Sequence, residues 1–249
     1  TMIRFCHNHG LLQISDRPQW WTVAGGARQY VQAIVAGLRD ARAATPVIRI
    51  ERNPAQPRGG VRVFTAAGSE VFDRLVLATH SDQALALLAA PSDDERALLG
   101  AIGYQRNLAV LHTDTSVLPT RKRAWAAWNY ERAAEDGTER HRVCLHYLLN
   151  RLQPLPFAQP VIVSLNPVRP IDPARVLQRI DYAHPVFDLA AIAAQRRLHT
   201  LQGQAHTWYA GAWMGYGFHE DGLQAGLAAA RALLAAGAAA PESAQAQAA

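Results

Sequence analysis

The residues best placed to do chemistry lie in one stretch, GAWMGYGFHEDGLQAG, at positions 211–226. Its glycines and aromatic side chains precede Glu220 and Asp221, and a helical pattern follows. Because glycine weakens the interior of a helix or strand, this density of glycine predicts a backbone that another group approaches closely. The amides at the start of the helix carry partial positive charge and favour an anion or an electron-rich carbonyl. The pattern predicts a ligand-facing loop, and tight packing of a helix on a sheet is the alternative.

The spacing of small residues within this stretch supports both interpretations. Gly222, Gly226 and Ala230 lie four residues apart and leave one face of the helix bare. The segment from Gly215 to Glu220 imitates G-x-G-x-x-G, but glutamate replaces the third glycine and the segment does not open a first βα turn. The sequence therefore does not predict a Rossmann fingerprint here.

The elements that must position this loop follow strand and helix patterns along the whole chain. Strands are predicted in PVIRIER, GVRVFTAAG, SEVFDRLVLATH and HTWYAGAW, and LVLAT lacks polar alternation, which predicts burial on both faces. From Tyr104 to Leu165, NLAVLHTD, AWAAWNYE, HRVCLHYLL and PVIVSLN predict four strands of a separate sheet. Helices are predicted in TVAGGARQYVQAIVAGLRDA, SDQALALLAA, SDDERALLGAI, DPARVLQRI, FDLAAIAAQRRL and DGLQAGLAAARALLAAG, with Ser81 and Ser92 as two N-caps.

Composition limits the class of protein and its partners. The chain has 249 residues, 49% of them hydrophobic, with a net charge of +5 and a pI near 9.6. Its arginines are scattered along the sequence, so no nucleic-acid partner is predicted. Cys6 and Cys144 lie far apart with no signal peptide pattern, which predicts a reduced, cytoplasmic protein. The stretch LAAARALLAAGAAA is too short and too interrupted to predict a transmembrane segment.

Other reactive side chains give weaker patterns. Cys6-His7-Asn8-His9 has ligating side chains but no matching pair at a zinc spacing, so no metal site is predicted. Cys144 and His146 alternate on one face of a predicted strand, and a nucleophilic pair would also need a third, orienting group. No G-x-S-x-G elbow supports a hydrolase.

Two aromatic residues, Trp128 and Tyr130, share one face of the AWAAWNYE strand because strand side chains alternate. Burial in the core is the favoured interpretation, since large aromatic side chains are mostly buried. The alternative is that they line a channel for an apolar substrate.

Four motifs carry a resemblance to a known family. YAGAWMGYGFHEDGLQAG resembles the C-terminal flavin motif of the flavin-containing amine oxidase superfamily, and especially its bacterial FAD-binding members. WTVAGGARQYVQAIVAGL is similar to the family's Gly-Gly loop and helix, and TPVIRIER to the strand whose valine backbone pairs with adenine. RLVLATHSDQAL is similar to the strand and turn over the cofactor. The motifs follow the family order from about Arg4 to Leu234, so the resemblance covers nearly the whole chain.

The resemblance implies roles for particular residues. Val47 would contact adenine, Gly211 would approach the ribityl-pyrophosphate chain, and His219 would flank the flavin as the candidate catalytic residue. Trp213 stands where the family usually carries an acidic residue. The implied FAD-binding residues are Gly26, Val47, Ala78, Thr79, His80, Gly211, Trp213, His219, Asp221, Gly222 and Leu223.

The same resemblance implies a domain organisation. We expect a mixed α/β fold with an FAD-linked, amine-oxidase-like two-domain architecture. A discontinuous, partial FAD-binding domain would take residues 26–90 and 205–236. A mixed-sheet substrate domain would take 1–25 and 91–204, and 237–249 would form a disordered tail. The family's opening strand, G-x-G-x-x-G turn and helix have no counterpart, so the chain is expected to be the C-terminal portion of a longer flavoprotein.

The implied activity is hydride transfer from a small, apolar organic substrate to flavin N5, with Trp128 and Tyr130 on the substrate side. Lys122 lies in a polar turn, and no lysine occurs near Arg106, where the family's amine oxidases are expected to carry one. This weakens amine oxidation as the reaction. The alternative function is a non-catalytic interaction module whose exposed sheet edge pairs with another chain.

Overall fold

The computed structural model describes residues 10, 13–16, 19, 21–52, 60–132 and 144–238. The chain divides into two compact units, one formed by Thr1–Gly103 with Pro185–Ala249 and one by Tyr104–His184. The predicted functional boundaries of the FAD-binding and substrate domains stay predictions. The Cys6–His9 motif and the tail from 239 onward lie outside the described residues.

The first unit contains two small sheets and most of the helices. Strands β1, β2 and β3 form an antiparallel sheet in that order, and β4 pairs in parallel with β10. The strands are β1 (Val47–Arg52), β2 (Val61–Thr65), β3 (Gly68–Phe72), β4 (Leu75–Leu77) and β10 (Thr207–Tyr209). The helices are α1 (Arg28–Ala36), α2 (Ser81–Leu87), α3 (Asp93–Gly100), α5 (Leu189–Gln195) and α6 (His219–Ala238).

Local side-chain chemistry explains where these helices begin. Ser92 caps α3 as predicted, because its hydroxyl accepts from the Glu95 amide while Glu95 accepts from the Ser92 amide. His80, and not Ser81, occupies the N-cap position of α2, which corrects the predicted cap. The predicted strand in SEVFDRLVLATH divides into β3 and β4.

Helix α6 packs on the parallel pair through small residues. Ala225, Ala229 and Leu233 lie one turn apart and pack against Trp208 and Ala210 at the end of β10. The predicted last helix is confirmed, but this packing face is not the row of Gly222, Gly226 and Ala230 that the sequence singles out, and Ala230 is exposed. Gly226 also faces open space.

The second unit is built on a five-stranded sheet with the order β6-β7-β8-β5-β9. Its strands are β5 (Gly103–His112), β6 (Trp128–Glu131), β7 (Cys144–Leu148), β8 (Ile162–Leu165) and β9 (Val176–Val186), and the short helix α4 (Leu149–Leu152) follows β7. The four predicted strands are confirmed. The core contains Val110, Val117, Leu118, Leu148, Ile162 and Ile171.

Two local predictions are wrong. DPARVLQRI was expected to be helical, but a 3₁₀ turn at Pro173–Arg175, which the Asp172 side chain caps, leads into β9. Pairing at the sheet edge therefore overrides the helical pattern. The run LVLAT was expected to be buried on both faces, but Val76 is 39% exposed, so one face of β4 is not fully covered.

One helix leaves an apolar face uncovered. Tyr30, Val31, Ile34 and Val35 of α1 are each 42–61% exposed, and α1 has no buried residue. None of the helices in the described part of the chain combines the length and apolarity needed to cross a membrane.

Candidate functional site

The candidate site of the first unit lies at the carboxyl ends of β4 and β10. The Ala210 amide donates to the Leu77 carbonyl over 3.0 Å, which extends the parallel pairing past both strands. Ala78 and Thr79 therefore lie beside Ala210 and Gly211. In α/β sheets, ligands bind in the crevice beyond the carboxyl ends of parallel strands. The fold brings these two predicted motifs together at such an edge.

A cavity of about 780 Å³ lies beside β4, between this strand with the residues that follow it and residues of β1, β2 and α2. No residue of β10 or of the loop after it lines this cavity. Val47, Ala78 and Thr79, to which the resemblance gives a role toward the cofactor, all line it. Apart from Thr79 and Gln83, the lining side chains are apolar: Pro46, Val47, Ile48, Ile50, Val63, Leu75, Val76, Leu77, Ala78, Ala86 and Leu87. An apolar cavity with few polar groups is the usual form of a small-molecule site.

Trp213 joins the two predicted motifs directly. Its indole Nε1 donates to the Thr79 carbonyl over 2.9 Å, and its side chain is 3% exposed. This hydrogen bond fixes the loop after β10 to the loop after β4. Trp213 thus has a structural contact that the sequence did not predict.

The glycines of 211–226 give space to the chain's own side chains. A Cβ at Gly211 would collide with Trp213, and a Cβ at Gly215 would collide with the Asp221 carboxylate. Gly217 has a positive φ of 91° and lies against the Phe187 ring. The close approach predicted from the glycines is therefore present, but at these positions it is made within the chain.

The Asp221 carboxylate is directed back into the loop. Its Oδ2 accepts from the Phe218 amide over 2.9 Å, which caps the start of α6. Gln195, which sequence reasoning missed, holds the same loop by donating to the carbonyls of Trp213 and Gly215 over 2.9 and 2.7 Å. A glutamine at the end of a helix gives no local signal of such a role.

The remaining predicted cofactor residues are dispersed over the first unit. His219 and Leu223 are exposed on the first turns of α6, and Gly222 lies against Ala212. His80 follows Thr79 at the start of α2. Gly26, with φ of 84°, lies in a separate turn whose hydrogen bonds run to Val23 and Gln29. The cavity therefore gathers Val47, Ala78 and Thr79, and the other assignments stay predictions.

A buried ionic cluster joins β1, α3 and β10 within the first unit. Arg52 pairs with both oxygens of Glu95, and the Tyr209 hydroxyl donates to Glu95 Oε1 over 2.7 Å. Burial alone would raise the pKa of Glu95, but the hydrogen bonds from Arg52, Tyr209 and the Ser92 amide lower it to about 2. Burial and the neighbouring Glu95 raise the pKa of Tyr209. Sequence reasoning missed this cluster, because its members are far apart along the chain.

The aromatic pair of the second unit is exposed. Trp128 and Tyr130 are 51% and 65% exposed on β6, so the favoured interpretation that they belong to the core is wrong. The reason is that the opposite face of β6, with Asn129 at 8% exposure, is the buried one. Their role toward a substrate stays a prediction.

The buried face of the same sheet holds a chain of polar side chains. The Asp114 amide donates to His112 Nδ1, so His112 Nε2 carries the proton and donates to Ser164 Oγ over 2.7 Å. The Ser164 hydroxyl then donates to His146 Nδ1 over 2.6 Å. His146 Nε2 lies 2.9 Å from Glu131 Oε2 and 3.4 Å from Cys144 Sγ. Cys144 and Glu131 thus both face Nε2 of His146, and the group that holds the other ring nitrogen of this candidate pair is Ser164.

Comparison with known proteins gives a fold. No family model and no curated protein matches the chain. Among solved structures, a CLA-producing fatty acid isomerase from P. acnes matches 82% of this chain at 19% identity, with a TM-score of 0.57. A protein named as a protoporphyrinogen oxidase from Exiguobacterium sp. 255-15 matches 92% at 13% identity, with a TM-score of 0.56. A putrescine oxidase redesigned at its cofactor binding matches 85% at 11% identity, with a TM-score of 0.55.

This chain has a partial flavin amine oxidase-like fold. It spans about half the length of these solved structures, 51%, 56% and 53% in turn. The identities are low enough that the likeness concerns fold and not activity. The predicted mixed α/β class and the predicted resemblance are confirmed at the level of fold.

The cavity fits one part of the cofactor that this fold suggests. Its apolar walls around Val47 and Ala78 suit a flat, weakly polar ring such as adenine. Its lining includes no arginine or lysine to pair with a pyrophosphate. Arg42, which lines a neighbouring cavity of about 320 Å³, is paired with Asp40 and Glu70. The described residues thus fit the ring of a dinucleotide better than its phosphates.

Proposed function

We propose that this chain supplies the apolar part of an FAD site in an FAD-dependent oxidoreductase. The observation that carries the proposal is the cavity beside β4, which Val47, Ala78 and Thr79 line together. Val47 belongs to the TPVIRIER motif at β1, and Ala78 and Thr79 belong to the RLVLATHSDQAL motif, with β2 and β3 between the two motifs. The family resemblance assigned both motifs to FAD. The coincidence of position and chemistry supports this function over an unrelated packing role.

Val47 and Ala78 would hold the adenine end of the cofactor by apolar contact. Thr79 and Trp213 would keep the two loops in register, because their hydrogen bond joins them. The exposed first turn of α6, which begins at His219, would present amides to the electron-rich edge of the ring system. A bound flavin would supply the acceptor for a hydride from the substrate.

The substrate proposed is a small, apolar organic molecule. Trp128 and Tyr130 would supply an apolar surface for it, since both are exposed on one face of β6. No nucleic-acid partner is proposed, because the arginines are scattered along the sequence. The cytoplasmic location inferred from the two separate cysteines stays a prediction.

A second candidate function is a non-catalytic interaction module. The exposed apolar face of α1, with Ile34 at 61% exposure, and the unpaired edge of β4 favour it. Such surfaces pair readily with another polypeptide. In this case the chain would bind a protein segment at that edge and would not bind FAD.

FAD binding by the purified chain tests the first proposal. We expect added FAD to bind saturably, measured by quenching of its fluorescence, and to bind more tightly than FMN, which lacks adenine. Val47→Arg places a long charged side chain in the cavity and should weaken FAD binding at least ~10-fold, or about 1.4 kcal/mol. It should also remove the preference for FAD over FMN.

Val71→Arg is the matched control, because Val71 is 52% exposed on β3 and does not line the cavity. It should leave FAD binding unchanged. A chain that does not quench FAD fluorescence, or in which both variants behave alike, would contradict the flavin proposal and favour the interaction module.

A further inference from the structure

Three side chains of types that bind transition metals converge inside the second unit. Glu131, Cys144 and His146 each direct one ligating atom to a common point, and these atoms all lie within 4.8 Å of one another. The sheet explains the convergence. Glu131 and Cys144 are cross-strand partners of β6 and β7, and Cys144 and His146 lie two residues apart on one face of β7.

The separations suit a shared metal ion. Zinc binds sulfur at about 2.3 Å and nitrogen or oxygen at about 2.0–2.2 Å, so tetrahedral ligands lie about 3.3–3.6 Å apart. His146 Nε2 lies 3.4 Å from Cys144 Sγ and 2.9 Å from Glu131 Oε2. The third separation, from Cys144 Sγ to the Glu131 carboxylate, is at most 4.8 Å. Side-chain shifts of up to about an ångström would therefore bring the three groups to one ion.

The surrounding groups orient two of the three ligands. Ser164 Oγ lies 2.6 Å from His146 Nδ1, so the remaining ring nitrogen, Nε2, is held toward the common point. Arg169 pairs with Glu131 Oε1, which leaves Oε2 directed at His146. Partners of this kind orient the ligands of protein metal sites.

Burial and exposure are arranged as an ion site requires. Cys144 and His146 are 0% and 1% exposed, so water does not compete for them. The Glu131 side chain is 20% exposed and gives the ion a path from solvent. The Val168 amide donates to Cys144 Sγ, which supports the thiolate once an ion displaces the thiol proton.

We propose that Glu131, Cys144 and His146 form a binding site for Zn²⁺ that clips β6 to β7. A thiolate, an imidazole and a carboxylate are ligands that zinc accepts, whereas Mg²⁺ and Ca²⁺ require oxygen ligands throughout. Three protein ligands leave the fourth position to water or a small anion. On binding, the Cys144 proton leaves to solvent and the proton on His146 Nε2 moves to Nδ1. Nδ1 then donates to Ser164 Oγ, and the Ser164 hydroxyl rotates its own hydrogen away from His146.

Titration of the full chain with Zn²⁺ and Co²⁺ tests this site. After removal of metals with a chelator, we expect one Zn²⁺ per chain in competition with a chromophoric chelator, and a higher melting temperature with metal. Co²⁺ should give the sulfur-to-cobalt charge-transfer band of a thiolate ligand and the strong visible absorption of a tetrahedral site.

Variants assign the ligands. Ser164→Ala removes a partner of a ligand and should weaken Zn²⁺ binding ~10–100-fold. Cys144→Ser should remove the charge-transfer band and weaken binding by more than Ser164→Ala does. Glu131→Gln is the second ligand variant, chosen because Glu131 is partly exposed and its loss does not empty the core. It should weaken Zn²⁺ binding while keeping the charge-transfer band.

The control variant removes the other candidate ligands, Cys6→Ser with His7→Ala and His9→Ala, and should bind Zn²⁺ as the parent chain does. Loss of binding in this control, with binding kept in Cys144→Ser and Glu131→Gln, would overturn the proposal. Absence of stoichiometric Zn²⁺ binding by the parent chain at micromolar concentration would overturn it as well. Neither result depends on FAD, so the flavin proposal is tested separately.

Discussion

The two units provide hydrogen-bond partners for their buried polar side chains in different ways. In the first unit, Arg52, Glu95 and Tyr209 form an ionic cluster in which the carboxylate accepts from a guanidinium, a hydroxyl and the Ser92 amide. In the second unit, His112, Ser164 and His146 form a neutral chain of hydrogen bonds, in which His112 donates to Ser164 and Ser164 donates to His146. Across the described residues, every buried side-chain nitrogen or oxygen has a partner.

Comparison of the ionic cluster with the neutral chain indicates which of the two could accept a ligand. Glu95 already has donors at both oxygens, so another group would have to break a charged hydrogen bond. At the end of this chain of hydrogen bonds, His146 Nε2 lies close to both Glu131 and Cys144. A metal ion could take the place of the proton that Nε2 carries. The ionic cluster therefore serves stability, and the neutral chain leaves a position for binding.

Removing the charge of Glu95 should have the largest effect. Glu95→Gln leaves the buried Arg52 without a counter-charge, because the Arg52 side chain is 8% exposed. We expect a loss of about 3–5 kcal/mol in the free energy of unfolding, measured by urea denaturation followed by circular dichroism. Glu70→Gln is the control, because Glu70 pairs with Arg42 at the surface and should cause no resolvable change. Equal losses in the two variants would show that the cluster is not the stabilising element.

The same carboxylate predicts a pH dependence. The pKa of Glu95 is about 2 in the fold, below its ordinary value of 4.5, so its stabilisation is present above pH 4.5 and is lost as pH falls toward 2. The loss should be on the order of 3 kcal/mol. Hydrogen bonds from backbone amides overcome burial and also lower the pKa of Asp114 to about 2, so this second carboxylate titrates in the same range.

Comparison of the parent chain with Glu95→Gln separates the two carboxylates. The difference in unfolding free energy between the two chains should shrink between pH 4.5 and 2, because Glu95 becomes protonated in the parent chain. Asp114 contributes equally to both chains, so its titration cancels in this difference. A difference that stays constant over this range would show that the fold does not lower the pKa of Glu95.

The elements of this fold that depend on residues close together in the sequence could be predicted, and those that depend on distant segments could not. The capping box at Ser92 and Glu95 lies within four residues, and the helix after Asp221 has its own period, so both could be predicted. β9 could not, because its local pattern is helical and its partner β5 lies about seventy residues away. The parallel contact of β4 with β10 also joins distant segments. The resemblance assigned both segments to one domain but did not predict that they pair.

The site follows the same rule. Val47, Ala78 and Thr79 were assigned through resemblance, and the fold brings them to one cavity. The glycines of 211–217 signalled close approach correctly, but nothing local distinguishes a ligand from the side chains of Trp213 and Asp221. Glu131 was missed as the partner of Cys144 and His146 because the sequence of a single strand does not determine its register with the neighbouring strand.

Ser164→Ala should break the histidine chain with a smaller effect than the loss of Glu95. It leaves His112 Nε2 without an acceptor and His146 Nδ1 without a donor in the metal-free protein. We expect a loss of about 1–3 kcal/mol in the free energy of unfolding, measured with chelator present. Ser69→Ala, on the exposed strand β3, is the control and should be near neutral. A neutral Ser164→Ala would mean that the two histidines find other partners.

The smallest effect expected is a second pH dependence that separates the units. Burial lowers the pKa of His112 below 6.5, so the fold holds it neutral, whereas the unfolded chain binds a proton below pH 6.5. The stabilisation from His112 is therefore full above pH 6.5 and declines as pH falls toward the lower pKa, with a slope of up to ~1.4 kcal/mol per pH unit. His112→Gln should remove this contribution between pH 6.5 and 5, where the ionic cluster of Glu95 is still fully ionised. Unfolding free energies of both chains measured across that range test it, and parallel pH profiles would mean that His112 is not what makes the neutral chain acid-sensitive.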